Sequence, residues 1–321
     1  MSDLNPNIIS LLNTLASGQF ASGEALGEQL SVSRAAIAKY IKQLEQLGLD
    51  IYSVKGKGYR LAQPISLLNA QAINAQIDAP EVEIFTLIDS TNQHLLNRIG
   101  QLEKGHTCIA ECQQAGRGRR GRTWVSPFAS HLYLSMYWQL DEGMAAAMGL
   151  SLVTGIAVVN ALTAMNISGV KLKWPNDIYV EGKKLAGILV EMSAQASGPC
   201  QLVIGLGLNV NMPIQASAAI DQPWTDIKQV AGKEIDRNEL AHNVILALRE
   251  TLRLYEREGL SPFLASWQKM DAFANKPVKL LIAEKEVRGI ARGIDKNGAL
   301  LLEANGVVKP FIGGEISLRG V

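Results

Sequence analysis

The hydrophobic period changes twice along this chain, and that divides it into three folding units. Residues 7–17 carry Ile8, Ile9, Leu11, Leu12 and Leu15 at helical spacing, and Gly18 ends the run. Ser22 can cap a second short helix with Leu26 and Leu30 inward. Ser31-Val32-Ser33 makes a tight connection. Ser33 can cap a third helix with Ala36, Ile37, Tyr40, Ile41, Leu44 and Leu47 on one face, and Gly48 stands where a C-cap belongs. Two β-rich runs, 51–54 and 59–61, flank Lys55-Gly56-Lys57-Gly58 and read as a hairpin. This order is that of a winged helix–turn–helix, closed by Gln63-Pro64.

The second unit mixes strand-like runs (82–88, 107–111, 132–137, 170–173, 185–192, 202–208) with helical ones (92–100, 145–165, 239–258). The third has only short strand-like runs: 278–282, 287–294, 299–303 and 307–311. Asp295-Lys296-Asn297-Gly298 and Asn305-Gly306 supply hairpin turns, and a small SH3-like β-barrel is expected. The expectation is a multidomain α+β chain divided at 1–64, 65–271 and 272–321.

With 321 residues, two or three domains are expected, and 47% hydrophobic against 19% charged residues exclude a disordered chain. A net charge of +1 provides no global field for nucleic acid, so any such role needs a local patch. Cys108, Cys112 and Cys200 are too few and odd in number for a disulfide framework. No basic segment followed by an apolar run marks a signal peptide, so a cytoplasmic location is expected. The charge-free stretch 144–170 is long enough for a membrane span. It is interrupted by Gly149, Ser151, Thr154, Gly155, Asn160 and Thr163, and reads instead as a helix buried in a core.

The patch exists at the N-terminal end. Residues 31–60 hold six basic side chains (Arg34, Lys39, Lys42, Lys55, Lys57, Arg60) against Glu45 and Asp50. Ser33, Arg34, Lys39 and Lys42, within a helix–turn–helix at 23–42, suit the major groove. Lys55, Lys57 and Arg60 suit the DNA backbone beside it. A solvated charged face on a three-helix domain is the plainer alternative.

The densest chemistry lies at 111–124, where Arg117, Gly118, Arg119, Arg120, Gly121 and Arg122 crowd one loop and no acid stands between Cys112 and Trp124. Glycines let the backbone close on a ligand, and guanidinium groups match carboxylate and phosphate oxygens. An RNA-binding segment or a mobile surface loop would share that composition. Asp89-Ser90-Thr91-Asn92-Gln93 places hydroxyls and amides at a helix start, suited to a neutral polar head group, although capping alone explains it. Lys171-Leu172-Lys173-Trp174-Pro175-Asn176-Asp177, Lys183-Lys184-Leu185-Ala186-Gly187 and Gly205-Leu206-Gly207-Leu208-Asn209 add cations and close-approach glycines. His106, Cys108 and Cys112 could share a strand face, but no fourth ligand lies nearby for zinc.

Taken together, D-S-T-N-Q, Q-Q-A-G-R-G-R-x-G-R-x-W, K-W-P-N-D, K-K-L-A-G-I-L-V-E and G-x-G-x-N resemble the biotin–protein ligase family in order and spacing. With the units at either end, the chain is similar to the bifunctional bacterial ligase–repressors of biotin synthesis. The resemblance implies a biotin/lipoate ligase-like central domain. It implies biotinyl-5′-AMP formation from biotin and ATP with Mg²⁺ on the phosphates, then biotin transfer to a lysine of the biotin carboxyl carrier protein of acetyl-CoA carboxylase. Ser90, Thr91, Asn92 and Gln113 would hold biotin's ureido ring. Arg117, Gly118 and Arg119 would wrap carboxylate and phosphate. Lys184 would stabilise developing charge, and Asp177 would orient the incoming lysine. Lys173, Asn176, Trp124, Asn209 and Trp224 would serve the adenylate, with 212–224 folding over adenine. Cys112 stands where the family carries an aromatic residue, and alternation turns it away from the ligand.

A homodimer bound to biotinyl-AMP, with operator DNA as partner, and no membrane association are further expectations. The rivals are a lipoate- or octanoyl-transferring relative, which generally lacks the N-terminal unit and the R-G-R-x-G-R run, and a ligand-sensing repressor without ligase activity.

Overall fold

Capping fixes the first three helices. In the computed structural model, which describes residues 4–75, 77, 80, 82–141, 149–193, 199–282, 285–312 and 316–320, α1 (Pro6–Leu15) starts on Asn5 with Pro6 in its first turn. The hydroxyl of Ser22 accepts from Ala25 N at 3.0 Å to start α2 (Gly23–Gln29), and that of Ser33 accepts from Ala36 N at 3.2 Å to start α3 (Arg34–Gln46). Leu11, Leu12, Leu15, Leu26, Ile37 and Leu44 close a small core. Ser33, Arg34, Lys39 and Lys42 stay exposed on its far side. β1 (Ile51–Val54) and β2 (Gly58–Leu61) pair antiparallel as the expected wing. A methyl group at Gly58 would strike Ala21 O, so only glycine lets β2 bond to Ala21 through Tyr59.

A seven-stranded mixed sheet forms the centre, in the order β3-β4-β5-β9-β8-β7-β6. Its strands are β3 (Val82–Phe85), β4 (Thr107–Ala110), β5 (His131–Leu140), β6 (Val170–Lys173), β7 (Asp177–Val180), β8 (Lys183–Met192) and β9 (Cys200–Asn209). Only β3 and β4 run parallel. β7 is absent from the sequence reading because Glu181 and Gly182, both at positive φ, make its turn without a typical Asn-Gly signal. Short α4 (Ala70–Asn74) precedes β3, and α5 (Thr91–Leu96) follows it. α6 (Leu150–Ala164) is the buried, charge-free helix, while 144–148 of that stretch lie outside the described residues. Gly155 lets it approach the sheet, since a methyl group there would come within 2.9 Å of Leu172 Cδ2. No helix among the described residues is long and apolar enough to cross a membrane.

Two short helices, α7 (Ile214–Ser217) and α8 (Ile227–Ala231), lead to α9 (Arg237–Glu258), which packs Leu240, Val244, Leu248 and Leu252 inward over α6. α10 (Leu264–Met270) then reaches a five-stranded antiparallel sheet of β10 (Pro277–Ile282), β11 (Lys285–Ile294), β12 (Leu300–Ala304), β13 (Val307–Phe311) and β14 (Ile316–Gly320), ordered β13-β12-β11-β10-β14. This is the SH3-like unit. Its last strand went unread because it is short and finds its partner, β10, at the far end of the unit.

One buried ion pair joins the wing's exit to the central sheet. Arg237, at the start of α9, donates to Glu111 at 2.7 Å and to the carbonyls of Ser66 and His131, while Glu111 accepts from Leu68 N. Both side chains are about 5% exposed or less. Glu111→Ala leaves an uncompensated guanidinium inside. It should cost about 3–5 kcal/mol in denaturant unfolding, and a loss below 1 kcal/mol would contradict the assigned importance of this pair.

Candidate active site

Where β8 and β9 face the cleft, side chains are missing. Gly187 and Gly207 are register partners, and a methyl group at Gly207 would collide with the Trp124 indole. The indole therefore lies directly on backbone. Gly205 makes the same allowance for the Asn92 carboxamide. Both glycines of the G-x-G-x-N motif thus serve close approach by side chains.

The start of α5 fills the next position. Thr91 N and Oγ1 donate to Gln113 Oε1 at 3.0 and 3.1 Å, and Ser135 Oγ on β5 shares its one proton between Thr91 Oγ1 and Asn92 Oδ1. Asn92 Nδ2 donates to Glu191 Oε2 at 2.7 Å. Ser90, Thr91 and Asn92 are buried, so their hydrogen bonds hold the start of α5 against β5.

The arginine-rich loop closes on itself. Trp124 N bonds to Gly116 O, Gly118 N to Arg122 O, and Arg120 and Gly121 turn the chain at positive φ. Arg117 pairs with Glu191 at 3.2 Å, and Arg119 donates to Asn176 Oδ1 at 2.7 Å. Arg120 and Arg122 remain exposed. Burial holds Arg119 below the ordinary guanidinium value, against the pull of Asp177.

Lys184 Nζ lies 2.8 Å from Asp177 Oδ1 and 5.4 Å from the Trp124 ring centroid. Lys173 is 5% exposed and donates to the Tyr179 hydroxyl at 3.0 Å. Its burial outweighs Asp177 and, helped by Arg319, Lys184 and Arg122, lowers its pKa to about 8. An anion in the cleft would relieve this cost.

These groups line one open cleft. Ser90, Thr91, Asn92, Gln113, Arg117, Gly118, Arg119, Trp124, Lys173, Asn176, Asp177 and Lys184 all meet there. A second pocket adjoins it, sharing Trp124 and Lys184 and adding Asn209, Met212, Ala219, Ile220 and Trp224. The segment 212–224 ends by pairing with β8, as Lys184 N bonds to Pro223 O and Thr225 N to Lys184 O. Within it, Ile214 is 89% exposed. Asn209 spends its amide on Thr225 O.

Four participants escaped the sequence reading. Ser135 and Glu191 lie within strands where alternation alone names no role, although Glu191 stands in a quoted motif. Leu318 and Arg319, on β14, reach the main cleft from the third unit, and no local motif marks them. Cys112 packs with Phe128 in the core of the N-terminal helices, away from the cleft. Among the described residues, no cluster of His, Cys, Asp and Glu could hold a metal ion.

Comparison with known proteins agrees with this arrangement. Residues 84–209 match the biotin/lipoate A/B protein ligase family, 8–60 an HTH domain, and 273–319 the biotin protein ligase C-terminal domain. The chain is 53% identical to the bifunctional ligase/repressor BirA of Escherichia coli (strain K12), covering 97% of both chains. It is equally identical, over the same share, to that of Salmonella typhimurium (strain LT2). The biotin protein ligase from Aquifex aeolicus in complex with biotin and ATP superposes with a TM-score of 0.65 at 29% identity, covering 75% of this chain and 99% of that one. The chain therefore belongs to the bifunctional ligase/repressor family, with a biotin/lipoate protein ligase domain between a helix–turn–helix domain and a biotin protein ligase C-terminal domain.

Proposed function

We propose that this chain joins biotin to ATP as biotinyl-5′-AMP and passes the biotinyl group to a lysine of a biotin carboxyl carrier protein. We further propose that its adenylate-bound dimer represses biotin-synthesis genes, and that its domains divide at 1–64, 65–271 and 272–321. The observation that carries the reading is one cleft that brings the hydrogen-bonded cluster of Ser90, Thr91, Asn92 and Gln113 together with the cations Arg119, Lys173, Lys184 and Arg319.

The cluster suits a neutral ureido ring, because its amides and hydroxyls both donate and accept. The carboxylate tail then points toward the cations. In the first step a carboxylate oxygen attacks the α-phosphorus and pyrophosphate leaves. Two anions must approach each other, so fixed positive charge is the main requirement. Lys184 and Arg119 supply it. Arg117 and Gly118 close the loop over the carboxylate, and Lys173 and Asn176 hold phosphate oxygens. The cavity beside Trp224, with Asn209 at its base, takes the adenine. In the second step a lysine amine attacks the mixed anhydride and AMP leaves, with Asp177 orienting that amine. Mg²⁺ is expected on the ATP phosphates rather than in a protein cage, and no step is assigned to it.

Incubation with ATP, a carrier domain and labelled biotin should label the carrier. Label from lipoate alone would favour a lipoyl-transferring enzyme, and label from neither, with DNA binding retained, a sensing repressor. Lys184→Ala should slow single-turnover adenylate formation about 100- to 1000-fold at an unchanged melting temperature. An unchanged rate would remove Lys184 from the chemistry.

DNA binding is assigned to residues 23–42, through Ser33, Arg34, Lys39 and Lys42, with Lys55, Lys57 and Arg60 on the wing. Bound adenylate would order the loops at 111–124 and 212–224 and so favour a two-fold dimer whose winged helices meet a two-fold operator. Sedimentation velocity should show a monomer alone and a dimer with biotin and ATP. A single species under both conditions would contradict ligand-driven assembly.

A further inference from the structure

The outer face of the wing carries a feature that core packing does not require. Ile51 and Leu61 turn inward, so Tyr52, Val54 and Arg60 turn outward. Tyr52 and Arg60 are direct cross-strand partners. On the other side of β2, Ala21 pairs antiparallel with Tyr59, and one step along that ladder sets Phe20 opposite Arg60. The result is a row of aromatic, guanidinium and aromatic across β1, β2 and the segment bridged to β2 at Ala21. Arg60 Cζ lies 5.1 Å from the Phe20 ring centroid and 5.3 Å from that of Tyr52. Phe20 is 38% exposed and Tyr52 46%, so neither ring is there to fill a core.

Charge sharpens the point. Lys57 Nζ also approaches the Phe20 ring, at 5.8 Å from its centroid, so two cations share one ring. No acidic residue stands between Ile51 and Leu61. Arg60 Nε is shielded from solvent and takes no acceptor, and no carboxylate pairs with Arg60 among the described residues. Ring contacts satisfy the flat face of a guanidinium but none of its N–H donors, which lie in its plane. Two neighbouring cations without a carboxylate partner are complementary to an external anion with oxygen acceptors.

The surroundings identify that anion. A methyl group at Gly23 would touch both the Tyr59 ring, at 3.4 Å, and the Arg34 side chain, at 3.6 Å. The wing therefore adjoins the first residue of α3 through its inner face, and Lys55, Lys57 and Arg60 add to the basic residues of that helix. A duplex backbone following α3 would present a repeating row of phosphates to it.

We propose that Phe20 and Tyr52 are positioning residues for DNA binding: they hold the Arg60 guanidinium on the outer face of the wing, where its charge meets a backbone phosphate of duplex DNA. This rests on the assignment of residues 23–60 to DNA. The rings remove rotamer freedom from a long side chain before binding, so contact costs less ordering. Lysine would keep the charge there but would lose the planar stacking.

The test uses the full chain with biotin and ATP, and a labelled duplex that the unaltered protein selects from a randomised library. Affinity is measured across a salt series. Arg60→Ala should weaken binding about tenfold at low salt and reduce the slope of log affinity against log salt by about 1. Phe20→Leu with Tyr52→Leu should weaken binding several-fold at the full slope, because charge is kept and aim is lost. Arg60→Lys should also keep the slope and stay weaker than the unaltered protein. Melting temperatures confirm that each variant folds. An unchanged slope in Arg60→Ala, or unaltered affinity in the leucine pair, overturns the proposal. So does a reduced slope in the leucine pair, which would mean a displaced wing rather than a mis-aimed guanidinium. If the unaltered protein selects no duplex at all, the DNA assignment itself fails.

Discussion

Backbone exposed on the cleft face of the central sheet is what the site is built upon. Gly187 and Gly207 sit side by side on β8 and β9, and Gly205 lies two residues before Gly207 on the same face. Any side chain at Gly207 would lift the Trp124 indole, and Trp124 closes the arginine-rich loop through Gly116. The loop, the indole and the Lys184 ammonium beside it therefore share one mechanical footing. A loop of four arginines would otherwise repel itself away from the sheet. Here the indole anchors one end, while the pairing of Arg117 with Glu191 and the bond from Arg119 to Asn176 restrain the rest.

The same interactions describe a site held ready for anions. Asp177 occupies the Lys184 ammonium, and Tyr179 occupies that of Lys173. Each cation is thus kept in place by a partner that leaves its remaining donors available. Burial lowers the Lys173 pKa to about 8, a state that incoming phosphate charge would reverse. The third unit takes part through Arg319, whose charge adds to that effect, so the cleft is built from two units rather than one. The buried bridge from Glu111 to Arg237 places the segment leaving the wing against the base of the same sheet.

Local signals made most of this legible. Ser22, Ser33 and Gly48 mark helix ends in the sequence because capping is a short-range effect, and the structure uses all three. The motif residues from Ser90 to Lys184 were readable as a set because each belongs to a short run of fixed spacing, and they do converge on one cleft. What stayed hidden depends on distant partners. Arg237 lies outside the helical run read at 239–258 and carries no motif, yet it is buried by contact with residues 126 and 171 positions away. Arg319 enters the cleft only because β14 pairs with β10. β7 was missed since Glu181 occupies a left-handed turn position without the usual residue type.

The central claim is that fixed cations beside Trp124 let a carboxylate attack a nucleotide phosphate. Isotopic exchange between labelled pyrophosphate and ATP reads that step without any carrier protein. Exchange that begins only when biotin is added is the predicted result. A purified, folded protein that incorporates no label with biotin present would contradict the account.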